Sequence, residues 1–144
     1  MKITGNVYEK IVVASRRYSR LKSAFERFYE GGQYLSEQQS RLEHFVFQQS
    51  FESNHFEILF LGMRIQFLFV PLFDENNALQ GNVICSKYQH VDSDKLIRIG
   101  SFRFDGQGMT DFEVDEGQDK LEIEFNAIDI ILHFVNEALV TPLQ

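Results

Sequence analysis

The sequence predicts an α+β fold: one or two N-terminal helices, an antiparallel meander of four to five strands, and a C-terminal helix packed across one face of the sheet. Three patterns predict it. Apolar residues recur at helical spacing before residue 31, alternate with a period of two between about 55 and 104, and return to helical spacing from about 121 to 140. A chain of 144 residues buries most of the surface its unfolded form exposes, so one domain spanning 1–144 accounts for the whole length.

The first helix is placed at residues 6–31. Val7, Ile11, Ala14, Tyr18, Leu21, Phe25 and Phe28 fall within about 100° of a helical wheel, an amphipathic stripe. Asn6 with Glu9 three residues on reads as a capping box, and Gly31-Gly32 reads as a left-handed stop. A second helix is expected from Ser36 to near Phe51, because Leu42, Phe45, Val46 and Gln49 keep helical spacing and Gln39 answers Ser36 as a weaker capping box.

From His55 the texture changes to a hairpin. With Leu61-Gly62 as the loop, Phe60 faces Met63, Ile58 faces Ile65 and Phe56 faces Phe67 on one side, while Glu57 opposes Gln66 and Leu59 opposes Arg64 on the other. Pro71 ends the second strand or places it at an edge. Further strands fit Asn82 to Tyr88 and Lys95 to Phe104, the latter with a β-bulge at Gly100-Ser101 that brings Ile97 and Ile99 into alternation with Phe102 and Phe104. Residues 109 to 114 are the candidate fifth strand, and Asp115 to Asp119 form an acidic loop.

The final helix, from Leu121 or Asn126 to Val140, has a polar stripe of about 100° and an apolar face over most of the rest. One sheet cannot bury a face that wide. The helix must lie between the sheet and another helix, or serve a subunit interface such as a homodimer.

Chemistry is harder to find. His44, His55, His90 and His133 form no helical metal pattern, and Cys85, the one cysteine, excludes an intramolecular disulfide framework and suits a reducing compartment. His133 has Asp129 and Glu137 one turn away on either side, which could orient it as a base but reads as a solvated histidine among acidic neighbours. Cys85 reads as a small buried hydrophobe. Asp105 to Asp111 resembles a calcium loop only superficially, since Gln107, Met109 and Thr110 break the ligand and glycine requirements. No serine-nucleophile elbow and no phosphate fingerprint is present, so no catalytic, metal or cofactor site is assigned.

Charge is segregated. Residues 1–31 carry seven basic and three acidic side chains; residues 32–144 carry seven basic and eighteen acidic, within a formal net charge of −7. Such a chain repels DNA and anionic membranes as a whole. Arg16, Arg20 and Arg27 nevertheless share about 40° of the first helix, a set of forks suited to carboxylates or phosphates, with Glu30 in reach of Arg27. Asp115, Glu116 and Asp119 head an acidic cluster suited to a basic protein. These six are the candidate partner-binding residues.

In size and charge the chain is similar to secretion chaperones and to immunity or antitoxin-like proteins, though two helices ahead of the sheet depart from the chaperone element order. The first expectation is a non-enzymatic, cytoplasmic protein-interaction module acting by surface complementarity, with a homodimer through the C-terminal helix. Absence of an apolar leader or an eighteen-residue apolar run carries the cytoplasmic expectation. The alternatives are a nucleic-acid or nucleotide binder using Arg16, Arg20 and Arg27, which lack interleaved aromatic rings for base stacking, and a small-ligand enzyme with a pocket between sheet and helices. The fifteen Phe are a compositional outlier that must fill the core or supply an interface.

Overall fold

Five strands form one antiparallel meander in the order β1-β2-β3-β4-β5: β1 is Val46–Ser50, β2 His55–Phe60, β3 Met63–Phe73, β4 Leu79–Tyr88 and β5 Leu96–Phe104. Helix α1 (Val7–Gly32) precedes the sheet and helix α2 (Ala127–Val140) follows it. The computed structural model describes residues 1–3 and 5–142.

The β2–β3 hairpin has the expected register at every pair, with Phe56 opposite Phe67 and Ile58 opposite Ile65. Leu61 and Gly62 both take positive φ, 51° and 78°, the primed turn that matches the twist of the strands. A leucine is a poor residue for that conformation, so the cross-strand pairing of aromatic and β-branched side chains sets the turn. Pro71 lies where β3 has run past the end of β2, an edge on that side, the setting in which a strand tolerates proline. The expected slip in β5 is present: Cys85 opposes Gly100 and Ser86 opposes Arg98, leaving Ile99 as the extra residue. Ile97 and Phe102 therefore both point inward and are buried.

Both helices cover the same sheet face. Phe28 meets Phe56, Phe67 and Phe102 with ring centroids 5.7–5.9 Å apart, and Phe134 of α2 stacks on Phe102 at 5.8 Å. Close-packed rings of this kind contribute beyond the area they bury, so the Phe surplus is chiefly core. Of the fifteen Phe, fourteen are buried or half-buried, and Phe125 alone is exposed.

Four expectations need correction. Asn6 is left-handed and its side chain makes no cap bond, so no capping box forms. Gly32 is right-handed (φ −76°) and the helix runs through both glycines into a 3-10 turn at Gln33–Ser36. Their role is close approach: a Cβ on Gly31 would stand 3.0 Å from Ala127 Cβ, and one on Gly32 would stand 2.3 Å from Ile131 Cδ1. The expected second helix is replaced by 3-10 turns at Gln33–Ser36 and Gln38–Ser40, then strand β1 and another 3-10 turn at Phe51–Ser53. Positive φ at Arg41 and His44 breaks any helix there. Finally, residues 109 to 114 make only isolated bridges, Thr110 with Phe104 and Met109 with Glu122; the fifth strand is β1, at the opposite edge.

Candidate interaction surface

Arg16, Arg17, Arg20 and Arg27 are exposed on α1, and the fold turns part of that basic face inward upon the protein itself. Arg27 Nε donates to Glu124 Oε2 at 2.9 Å, a partner 97 residues away, where the sequence offered Glu30. Arg20 and Arg27 line a cleft of about 230 Å³ with Glu122, Glu124 and the Gly106–Gly108 turn. Two carboxylates therefore offset the two guanidinium groups. The turn has few free amides for an anion, because Gln107 and Met109 N–H donate to Asp105 Oδ1 and Gly108 N–H donates to Asp105 O. Arg16 lies outside this cleft, and Asp115, Glu116 and Asp119 stand exposed on the loop ahead of α2, so the six candidates do not converge on one site.

Two polar features were missed by sequence reasoning. Glu57, 6% exposed, lies on the open face of the sheet and accepts Arg64 Nε at 3.0 Å, Arg64 Nη2 at 2.9 Å and the Tyr88 hydroxyl at 2.8 Å. The Arg64 guanidinium also lies 3.8 Å from the Tyr88 ring centroid. Hydrogen bonding to Glu57 raises the Arg64 pKa, while burial, then the Glu57 hydrogen bond, raises that of Tyr88. Every group is satisfied by another, which is the mark of a structural cluster. The second feature is Lys87 on the inward face of β4, whose Nζ donates to the carbonyls of Ala138 at 2.8 Å and Thr141, closing the C-terminal end of α2. Alternation of Val83, Cys85 and Lys87 was the available signal, since all three are buried on one side of the strand.

His133 is exposed, with its ring edge-on to Phe112 and Phe134. Cys85 is fully buried, and burial pushes its thiol pKa up, away from nucleophilic reactivity. Among the described residues no set of His, Cys, Asp and Glu is placed to hold a metal, and no helix is long and apolar enough to cross a membrane.

The surface of α2 is different in kind. Its inner sector, Ala127, Ile130, Ile131, Phe134, Val135 and Ala138, is buried against the sheet and α1. Beside that sector runs a seam of Ile128, Leu132 and Leu139 at helical spacing, continued by Phe125 in the turn just ahead of α2. Val135 is buried and Ile128 half-buried, but Phe125 is 84% exposed, Leu132 38% and Leu139 50%. Exposed Asp129 and Asn136 border it, and after Lys120 the chain has no lysine or arginine. The wide apolar face thus divides into a core sector and an uncovered seam bordered by Asp129 and Asn136.

Comparison with protein-family models, curated proteins and solved structures finds no match.

Proposed function

We propose that the protein is a non-enzymatic interaction module whose α2 seam receives a basic, amphipathic segment of a protein partner. The observation that carries this reading is Phe125. In a chain that shelters its other fourteen phenylalanines, the exposed one stands in the turn just ahead of α2, the helix that also exposes Leu132 and Leu139. Burying a ring this exposed removes on the order of 150 Å² of apolar surface, equivalent to about 4 kcal/mol before the costs of association. Contiguous exposed apolar surface of this kind marks interaction sites.

Charge selects the partner. Asp129 borders the seam, and after Lys120 the chain has no lysine or arginine, so a lysine- or arginine-bordered apolar helix complements it, whereas α2 of a second copy opposes like charge with like. For nucleic acid, the Arg27–Glu124 pair and the Glu122 carboxylate that shares the cleft of Arg20 reduce the positive surface that phosphates require.

Titration calorimetry with a synthetic peptide carrying leucines at heptad spacing between lysines tests the reading. Micromolar binding is expected, weakened at least tenfold by Leu132→Asp with no change in melting temperature. Equal binding to the variant, or equal binding of the same peptide with glutamates in place of lysines, refutes it.

A further inference from the structure

We infer that the outer edge of β1 is a self-association site, at which a second copy of this chain pairs its own β1 antiparallel across a two-fold axis to make a continuous ten-stranded sheet. The inference is independent of the α2 reading and uses a different part of the molecule.

The two edges of the sheet are built differently. The β5 edge carries Arg98 and Arg103, is distorted by the Ile99 bulge, and is partly covered where Asp111 bonds to both the N–H and the carbonyl of Arg103. Those are the devices by which sheet proteins prevent edge-to-edge pairing. Strand β1 carries no charged residue and no bulge. Residues Phe45 to Phe51 read FVFQQSF, with no charge, no proline and no glycine, a composition favouring strand-to-strand pairing. All five β1 residues pair in regular register with β2 on one side, and among the described residues no strand lies on the other. Val46, Gln48 and Gln49 are exposed.

Self-complementarity identifies the occupant as a second copy. A two-fold axis at Gln48, the middle of β1, sets Val46 against Ser50 and Phe47 against Gln49 of the other copy, and brings no like charges together. Such an isologous contact closes on itself, so it yields dimers and no fibre. Five paired residues bury less than a standard interface, so the dimer is expected to be weak, in the micromolar range or above. Two copies would also present two α2 seams, raising avidity for any partner with repeated binding segments.

Sedimentation velocity from about 1 to about 500 µM, the range suited to a small interface, together with disulfide trapping, tests the inference. The wild type should shift from monomer to dimer mass with concentration. Gln48→Lys sets like charges face to face across the axis, while the exposure of residue 48 leaves the monomer core untouched; it should stay monomeric at all concentrations with an unchanged melting temperature. Directly opposed antiparallel residues have Cα atoms about 4.5–5.5 Å apart, within disulfide reach. Gln48→Cys should therefore oxidise to a covalent dimer at least tenfold faster than Gln38→Cys, an exposed control outside the strand. The buried native Cys85 does not compete. A wild type that stays monomeric, a dimer that persists in Gln48→Lys, or equal trapping of the two cysteine variants overturns the inference.

Discussion

Replacing Arg64 with Met leaves the Glu57 carboxylate under the open sheet face without its cation. Two hydrogen bonds to an ionised group, at 3.0 and 2.9 Å, disappear together with the guanidinium stack on Tyr88. Bonds to charged groups contribute about 1.5–3 kcal/mol each when buried. Arg64 is itself 30% exposed, so water recovers part of that loss, while Glu57 at 8% side-chain exposure recovers little. The expected cost is about 2–4 kcal/mol, near the lower end for breaking a buried pair. Removing both charges as Glu57→Leu with Arg64→Met should cost less than Arg64→Met alone, because no ion is then stranded. Urea unfolding of the four proteins in this double-mutant cycle reads the coupling, expected at about 1.5–3 kcal/mol. An Arg64→Met cost below about 0.5 kcal/mol, or strict additivity, would refute the view of this cluster as a structural unit.

Other outcomes follow from single contacts. A Cβ on Gly81 would stand 2.2–2.9 Å from three atoms of the buried Phe104 ring, so Gly81→Ala should cost about 1–3 kcal/mol in chemical denaturation and be largely tolerated once Phe104 is Leu. Lys87→Met removes two hydrogen bonds to carbonyls at the end of α2, and amide exchange at residues 138–141 should accelerate at least tenfold while the β2–β3 hairpin stays protected. Burial raises the Cys85 thiol pKa and contributes most to raising that of Tyr88. A raised folded-state value means that the unfolded chain loses its proton first, so the stability these groups contribute is complete at neutral pH and lost as pH rises. Denaturation midpoints should fall from about pH 8.5, where an unfolded cysteine ionises, at a slope approaching about 1.4 kcal/mol per pH unit, and more steeply above about pH 10 as Tyr88 joins. Cys85→Ala should abolish the first part of that fall.

What could be read from the sequence is what local pattern dictates. The β2–β3 register was legible because Phe56, Ile58, Ile65 and Phe67 alternate about a short loop, and a one-residue slip would move all of them to solvent. The β5 bulge was legible within a residue or two for the same reason. Strand β1 was not, because Leu42, Phe45, Val46 and Gln49 mimic helical spacing, and the competing signal, Phe45 and Phe47 two apart, spans too few residues to prevail. Gly31-Gly32 resembled a terminator because the approach of α2, which requires the missing side chains, is a tertiary event. The same holds for the charges. Segregation of a basic first helix from an acidic remainder was visible, but the Arg27–Glu124 pair joins residues that only the fold brings together. The excess apolar width of the last helix was legible; its division into core and exposed seam depends on where the sheet and α1 end.

The measurement closest to the central claim is a map of backbone amide shifts on adding the leucine- and lysine-bearing peptide to the isotopically labelled protein. The account predicts the largest changes at Phe125, Ile128, Leu132 and Leu139, with Asp129 and Asn136 at the border and little change on the open sheet face. Changes centred on Leu68 and Ile84 of that face, or on Arg16 and Arg17 of α1, would contradict it.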